Sequence, residues 1–257
     1  MVNAVYVLLK GSSHPMDLFS CTNTKGTVYG FLSVTWGLLS DVDIESEKYR
    51  YLGVLRFTLV GIQRILSLRH YNGTLYYIPS DPSASPYNET GVEQNQNPTN
   101  ILRPRDSPRS PSGELELNVR EEGYGPKCTI PPLYEECGDE WKVVEDEFIL
   151  VGLQSISHLG SGMHSAPGVH INDGFLDIQF VKRGTNKKTM LDLLEAFETG
   201  KHLEYDDVTR LKAKAFRLVP GNDRIGHIAV DGEEIDYETI QGEILPSLAN
   251  VVMLKKI

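Results

Sequence analysis

Cysteine, long apolar runs and positive charge are all scarce in this sequence. There are three cysteines in 257 residues, an odd number with no Cys-x-x-Cys pair. That excludes a disulfide framework and the commoner zinc-binding spacings, so Cys21, Cys128 and Cys137 are expected as free thiols. No run reaches the roughly 18–20 apolar residues of a membrane-spanning helix. The opening MVNAVYVLLKGSSHP has a short apolar piece but neither a basic leader nor a small-residue cleavage site, so a cytoplasmic location is expected. Lys and Arg total 25 against 35 Asp and Glu, a net charge of −10, which argues against broad nucleic-acid binding. There is no Walker-type phosphate loop, no HExxH and no GxSxG elbow. His158, His164 and His170 recur at intervals of six, which suits neither one helix face nor a zinc-ligand pattern, and no metal site is expected.

What is present is ordinary in bulk. The hydrophobic fraction is 40% and the charged fraction 23%, and a chain of this length can bury a substantial core. Residues 1–37 read as antiparallel strands: 4–9, 17–21 and an alternating run over 27–36, with Val28, Gly30, Leu32, Val34 and Trp36 on one face. Residues 43–70 read as helix, broken near Gly53, with Asp43 as N-cap and Glu45 and Glu47 in the first turn. Leu55, Leu59, Ile62 and Leu66 recur at helical spacing, as a stripe that would pack on a sheet with the arginines in water. Strands are expected at 71–78, 148–156, 174–181, 213–218, 226–230, 234–237 and 251–254. A helix is expected at 189–197, stopped by Gly200. Asp231-Gly232 signals a tight hairpin.

Residues 80–140 differ in composition. The segment is rich in Pro, Ser, Asn and Gly and poor in large aliphatics, and is expected to be a disordered insertion within the domain. Ser85, Ser107 and Ser110 each precede a proline, which allows proline-directed phosphorylation as readily as an unmodified loop.

The densest chemical signal lies in residues 36–57, WGLLSDVDIESEKYRYLGVLRF. It interleaves Asp41, Asp43, Glu45, Glu47, Lys48, Arg50 and Arg56 over a turn and a helix. Carboxylates there suit an amine, and guanidinium forks suit phosphate oxygens. Taken alone, Asp43 reads equally as a cap, the arginines as solvated charges, and Asp231-Gly232-Glu233 as a turn.

This segment resembles the signature of sphingosine kinases, lipid kinases related to diacylglycerol kinases. The likeness extends through His14-Pro15-Met16-Asp17-Leu18, Phe31-Leu32-Ser33-Val34, Arg56-Phe57-Thr58-Leu59 and Gly73-Thr74-Leu75. It continues through Ser157-His158-Leu159-Gly160, 200–205, Ala215-Phe216-Arg217-Leu218 and 229–233. The resemblance implies a mainly β fold with α insertions, an antiparallel β-sandwich that forms the C-terminal, lipid-binding domain of such a kinase. It implies Asp43 at the amino and hydroxyl head of sphingosine. It implies ATP, with magnesium, reached by Arg50, Arg56, Asp231, Gly232 and Glu233. For the lipid tail it implies Leu38, Leu39, Val42, Phe57, Leu150, Leu159, Met163, Leu193, Leu194, Phe197 and His202.

No catalytic residue is assigned. The family's Gly-rich nucleotide loop and its Ser-Gly-Asp-Gly segment, whose Asp is the general base, are not found in the sequence. A partial kinase, inactive alone, is therefore expected. A non-catalytic lipid-binding module is an alternative, as is a diacylglycerol- or ceramide-type lipid kinase. The basic, apolar helix over 56–71 adds two expected partners, an anionic membrane surface with peripheral association and a calmodulin-like protein.

Overall fold

The computed structural model describes residues 2–81, 126, 128–160, 162–222 and 225–254. Ten strands pair antiparallel throughout the described residues: β1 Ser12–Asn23, β2 Gly26–Gly30, β3 Ser33–Gly37, β4 Tyr71–Pro79, β5 Lys142–Gln154, β6 Leu176–Lys182, β7 Val208–Pro220, β8 Ile228–Val230, β9 Glu233–Ile235 and β10 Ile240–Met253. They run in the order β2-β1-β10-β7-β4-β5-β3-β8-β9, while β6 bridges β5 and β7. The long strands β5 and β7 thus change partner along their length. Near its start β5 pairs with β4, and towards its end with β6 and β3. This is the expected β-sandwich with helical insertions. Trp36, Phe148, Phe180, Phe216 and Leu75 fill its main core.

Four helices complete the described part: α1 Val2–Lys10, α2 Leu38–Ser46, α3 Leu55–Leu66 and α4 Lys187–Ala196, with 3-10 turns at Glu47–Leu52 and Lys201–Glu204. A second core joins the helices to the sheet through Leu38, Ile65, Ile149, Leu150, Val181, Met190, Leu193 and Val208. Asn186 caps α4 by accepting from the Thr189 N–H at 2.9 Å. α4 ends at Ala196, with Phe197 as its C-cap, rather than at Gly200; Gly200, with a left-handed φ of 79°, instead leads into the 3-10 turn Lys201–Glu204.

Several local expectations are corrected. Residues 4–9 are helix, not strand. Ser12 lies opposite Met253, where β10 ends, so a strand continued back from Ser12 would have no ladder partner there. A helix satisfies those backbone groups internally. The run over 27–36 is broken at Phe31–Leu32 into β2 and β3.

Residues 82–125 and 127, most of the expected insertion and all three Ser-Pro sites, lie outside the described residues. Its last part is described and is held against the sheet. Arg217 donates to the carbonyls of Glu135 at 2.6 Å and Pro132 at 3.0 Å, and to Gln241 at 2.9 Å. Gln241 donates to the Pro131 carbonyl, and the Thr129 N–H donates to the buried Glu243 carboxylate at 2.7 Å. Composition missed this order because the partners, polar side chains of β7 and β10 and a small apolar cluster of Ile130, Trp141 and Ala215, are distant in sequence from most of the segment.

Candidate lipid and phosphate site

The Gly37 backbone turns sharply at the end of β3, with φ 81°, and launches α2. Asp43 therefore stands inside α2, one turn past its first residues, and does not cap it. The Gly37 turn supplies the entry without any side-chain cap. Asp43 is half-buried, and burial raises its carboxyl above the usual range, with Arg56 opposing the shift and Glu47 and Glu233 reinforcing it. A side chain on Gly232 would come within 3.5 Å of Asp43 Oδ2. The α2 carboxylate and the Asp231-Gly232 hairpin thus face each other, although 189 positions apart in the numbering.

The hairpin is a two-residue turn with φ 51° at Asp231 and 85° at Gly232, joining β8 to β9. Asp231 Oδ1 accepts from the N–H groups of Leu32 and Ser33 at 3.0 and 2.9 Å, and Oδ2 from Phe31 at 3.0 Å. This carboxylate bends the chain between β2 and β3, the break that alternation alone did not reveal. It leaves exposed Gly232 and Glu233 as the free edge of the turn.

Arg50 and Arg56 converge on one carboxylate. Arg50 Nε lies 2.8 Å from Glu47 Oε2, and Arg56 Nη1 binds Glu47 Oε1. The Arg56 guanidinium also covers the Phe57 ring at 4.4 Å. Arg50 is in the 3-10 turn with Glu47, while Arg56 arrives from the start of α3 after the break at Gly53, whose φ is 59°.

Beneath this surface lies a buried polar network that sequence reading did not single out. Asp41, fully buried, accepts from Tyr71 Oη at 2.5 Å, Arg69 Nη1 at 2.9 Å and the His227 N–H at 3.2 Å. Glu45 binds Arg64 and Arg69. Burial and the Asp41 charge push the Tyr71 hydroxyl well above its ordinary range. Asp41, Glu45 and His227 have the spacing of a metal site among the described residues. Arg64, Arg69 and Tyr71 already satisfy those carboxylates, so the donor set does not fit a cation.

The residues expected to line the lipid tail fall into groups. Leu38, Leu39, Val42, Leu150, Leu193 and Leu194 share the second core between helices and sheet. Phe57 is half-buried under Arg56. Leu159 and Met163 close a small loop through the Leu159 N–H and the Met163 carbonyl at 3.2 Å.

Phe197 stacks on His202 with ring centroids 3.9 Å apart. His202 is fully buried, its Nε2 is 2.9 Å from Gln179 Oε1, and burial lowers its pKa from 6.5 to about 4. The Gln179 amide donates to the Ser165 carbonyl and to Asp177, so its oxygen accepts from a neutral His202. The native ring therefore stays unprotonated where the unfolded one takes a proton. Stability from this residue is intact above pH 6.5 and is lost as pH falls towards about 4. Urea melts at pH 7 and pH 5 should show His202→Gln losing part of the wild-type acid sensitivity. An unchanged difference between the two pH values would contradict that.

Helix α3 is the clearest reversal. Its buried residues are Val60, Gly61 and Ile65. Leu55, Leu59 and Leu66 are more than half exposed, and Tyr51 and Val54 beside them more so. Arg56 and Arg64 point inward to Glu47 and Glu45 instead. The expected packing, leucines in and arginines out, is therefore inverted.

Comparison with known proteins agrees with this architecture. Residues 140–253 match the family described as YegS C-terminal NAD kinase beta sandwich-like domain. A solved structure from Bacillus anthracis str. Sterne, described as a "putative diacylglycerol kinase", superimposes with a TM-score of 0.52 at 17% identity, covering 95% of this chain and 59% of that one. That likeness speaks to the fold. Fold and sequence together define a sphingosine/diacylglycerol kinase-like C-terminal domain, and this chain carries one.

Among individual relatives, human sphingosine kinase 1 is 34% identical over 251 residues, and its mouse counterpart 32% over 252. Each alignment takes in 96% of this chain and 58% of the relative, so the chain spans little more than half the length of these kinases.

Proposed function

We propose that this chain is the lipid- and phosphate-contacting part of a kinase that transfers the ATP γ-phosphoryl group to the primary hydroxyl of sphingosine. The observation that carries the reading is the meeting of Asp43 with the Gly232 turn, with Arg56 close enough to act on its charge. Among the described residues no side chain donates to the Asp43 carboxylate, which would hold an ammonium as a charge-assisted pair. Arg50 and Arg56 would hold phosphate oxygens and spread the charge that develops during transfer.

ATP, with magnesium, supplies the phosphoryl group when bound. The two arginines fit its anionic oxygens, whereas the Asp41–Glu45–His227 group is already neutralised and is not assigned the magnesium. Asp231 serves by holding the β2–β3 turn, which sets Gly232 and Glu233 against the nucleotide. Leu38, Leu39, Val42, Leu150, Leu193 and Leu194 take the tail, with Phe197 and His202 further along. No proton transfer is assigned to these residues, since Asp43 is committed to the ammonium.

Selectivity tests the reading. In mixed micelles the chain is expected to bind sphingosine at least about tenfold more tightly than a diacylglycerol of equal chain length, the order of one charged hydrogen bond. Equal affinity would favour the diacylglycerol-type alternative.

The exposed face of α3 supports peripheral membrane association, because a bilayer-dissolved substrate must be collected from its surface. Leu55, Leu59, Ile62 and Leu66 would enter the interface, while Arg64 remains tied to Glu45. Phosphatidylcholine vesicles should retain the chain, and Leu59→Glu with Ile62→Glu should weaken retention by roughly tenfold or more. Unaltered retention would reject this face. Loss of retention only on adding a calcium-loaded calmodulin-like protein would point to that partner instead.

A further inference from the structure

The two arginines assigned to phosphate are not waiting in water. Glu47 engages both: Oε2 lies 2.8 Å from Arg50 Nε, and Oε1 binds Arg56. One carboxylate thus fills a fork drawn from two elements, the 3-10 turn Glu47–Leu52 and the start of α3. A carboxylate presents two oxygens to two guanidinium groups much as a phosphate does. These contacts and a phosphate's cannot be made at once.

We propose that Glu47 is a built-in competitor for the phosphate site, holding Arg50 and Arg56 in the nucleotide-free chain and yielding them to a polyphosphate. The proposal rests on the reading of these arginines as phosphate ligands. Glu47 is then a positioning residue. It keeps two cations together and aimed, at the expense of affinity, because only the fraction of molecules with Glu47 released binds.

The backbone gives this exchange somewhere to go. The 3-10 turn contains a non-helical residue, Tyr49, with φ −109° and ψ 23°, and ends on Gly53 with φ 59°. Glu47 and Arg50 are both exposed, so the released carboxylate returns to water. Arg56 has only 14% of its side chain exposed and rests over Phe57, so it stays in place when Glu47 leaves. Arg56 and Glu47 both act on the Asp43 carboxyl, in opposite directions. Release of Glu47 therefore removes negative charge from the site as the phosphate brings its own.

The charge-preserving substitution separates competition from simple electrostatics. Glu47→Asp keeps the charge but is one methylene shorter and cannot span both arginines; Glu47→Gln keeps the length but lowers the charge. Binding of inorganic tripolyphosphate to the whole chain would be measured by calorimetry. Both variants are expected to bind roughly three- to tenfold more tightly than the parent, as two exposed ion pairs allow. Arg50→Ala with Arg56→Ala should abolish binding.

If the double arginine variant binds like the parent, or if no variant binds, the phosphate reading itself falls. If binding needs the arginines but Glu47→Asp matches the parent, the competitor role is overturned and the phosphate reading stands. A lower melting temperature in both Glu47 variants with unchanged affinity would make Glu47 a purely structural tie.

Discussion

Asp43→Asn is expected to weaken sphingosine binding by roughly 1.5–3 kcal/mol, the range for a hydrogen bond to a charged group. That is a loss of about ten- to a hundredfold or more in affinity. The substitution preserves shape and removes only charge. It should not harm the ligand-free fold, because Asp43 sits inside α2 and caps nothing. Burial already raises its carboxyl, so the ionised form is held at a cost that lessens as pH falls through the raised value. Asn removes that cost. At neutral pH the ligand-free Asp43→Asn chain should melt at the parent's temperature or slightly above it while binding less lipid, a trade common at binding sites. Tripolyphosphate affinity should not fall. A variant that loses stability and lipid binding together would assign Asp43 a structural role.

The largest loss of stability is expected at Asp41. Removing its carboxylate in Asp41→Ala leaves Tyr71 Oη, Arg69 and the His227 N–H without their acceptor. Breaking a buried pair by deleting one partner costs about 3–5 kcal/mol, because the remaining charge stays unpaired. Arg69 is one-third exposed and regains some water, which places Asp41→Ala near the low end of that range. Denaturant unfolding should show the fall in midpoint without a change in slope. Asp41→Asn keeps an acceptor for Tyr71 and should lose less. A difference below about 1 kcal/mol for Asp41→Ala would mean the network adds little.

These two aspartates, two residues apart, show how far a sequence carries. The segment 36–57 announced itself by charge density, and Asp43, Arg50 and Arg56 do sit near one another. Asp41 was visible as one acid of that segment but its role was not, because its partners are Arg69, Tyr71 and His227, the last 186 positions away. Only the fold brings them together.

The Asp231-Gly232 hairpin was legible because its two left-handed residues leave a local mark. What Asp231 holds, the N–H groups of Phe31, Leu32 and Ser33, left no mark. Helix α3 shows the limit of periodicity: the spacing of Leu55, Leu59, Ile62 and Leu66 reveals a stripe but not which side of the helix is covered. Leu194 of α4 packs close to Gly61, where an added side chain would approach it within 3.1 Å, and Ile65 joins the same core, so the buried side of α3 lies away from the leucine stripe. α1 was misread because an apolar run forms a strand only where a neighbour remains to pair with it.

The pairing of Asp43 with an ammonium is best isolated by a thermodynamic cycle. Binding of sphingosine and of N-acetylsphingosine, which lacks the charge, would be measured for the parent chain and for Asp43→Asn in the same micelles. The four affinities give a coupling energy free of tail contacts and of general changes in the fold. A coupling of at least about 1.5 kcal/mol is predicted, with the preference for the charged base present in the parent and lost in the variant. A coupling near zero, with Asp43→Asn weakening both lipids equally or neither, would contradict the assignment of this surface to an amino-alcohol head group.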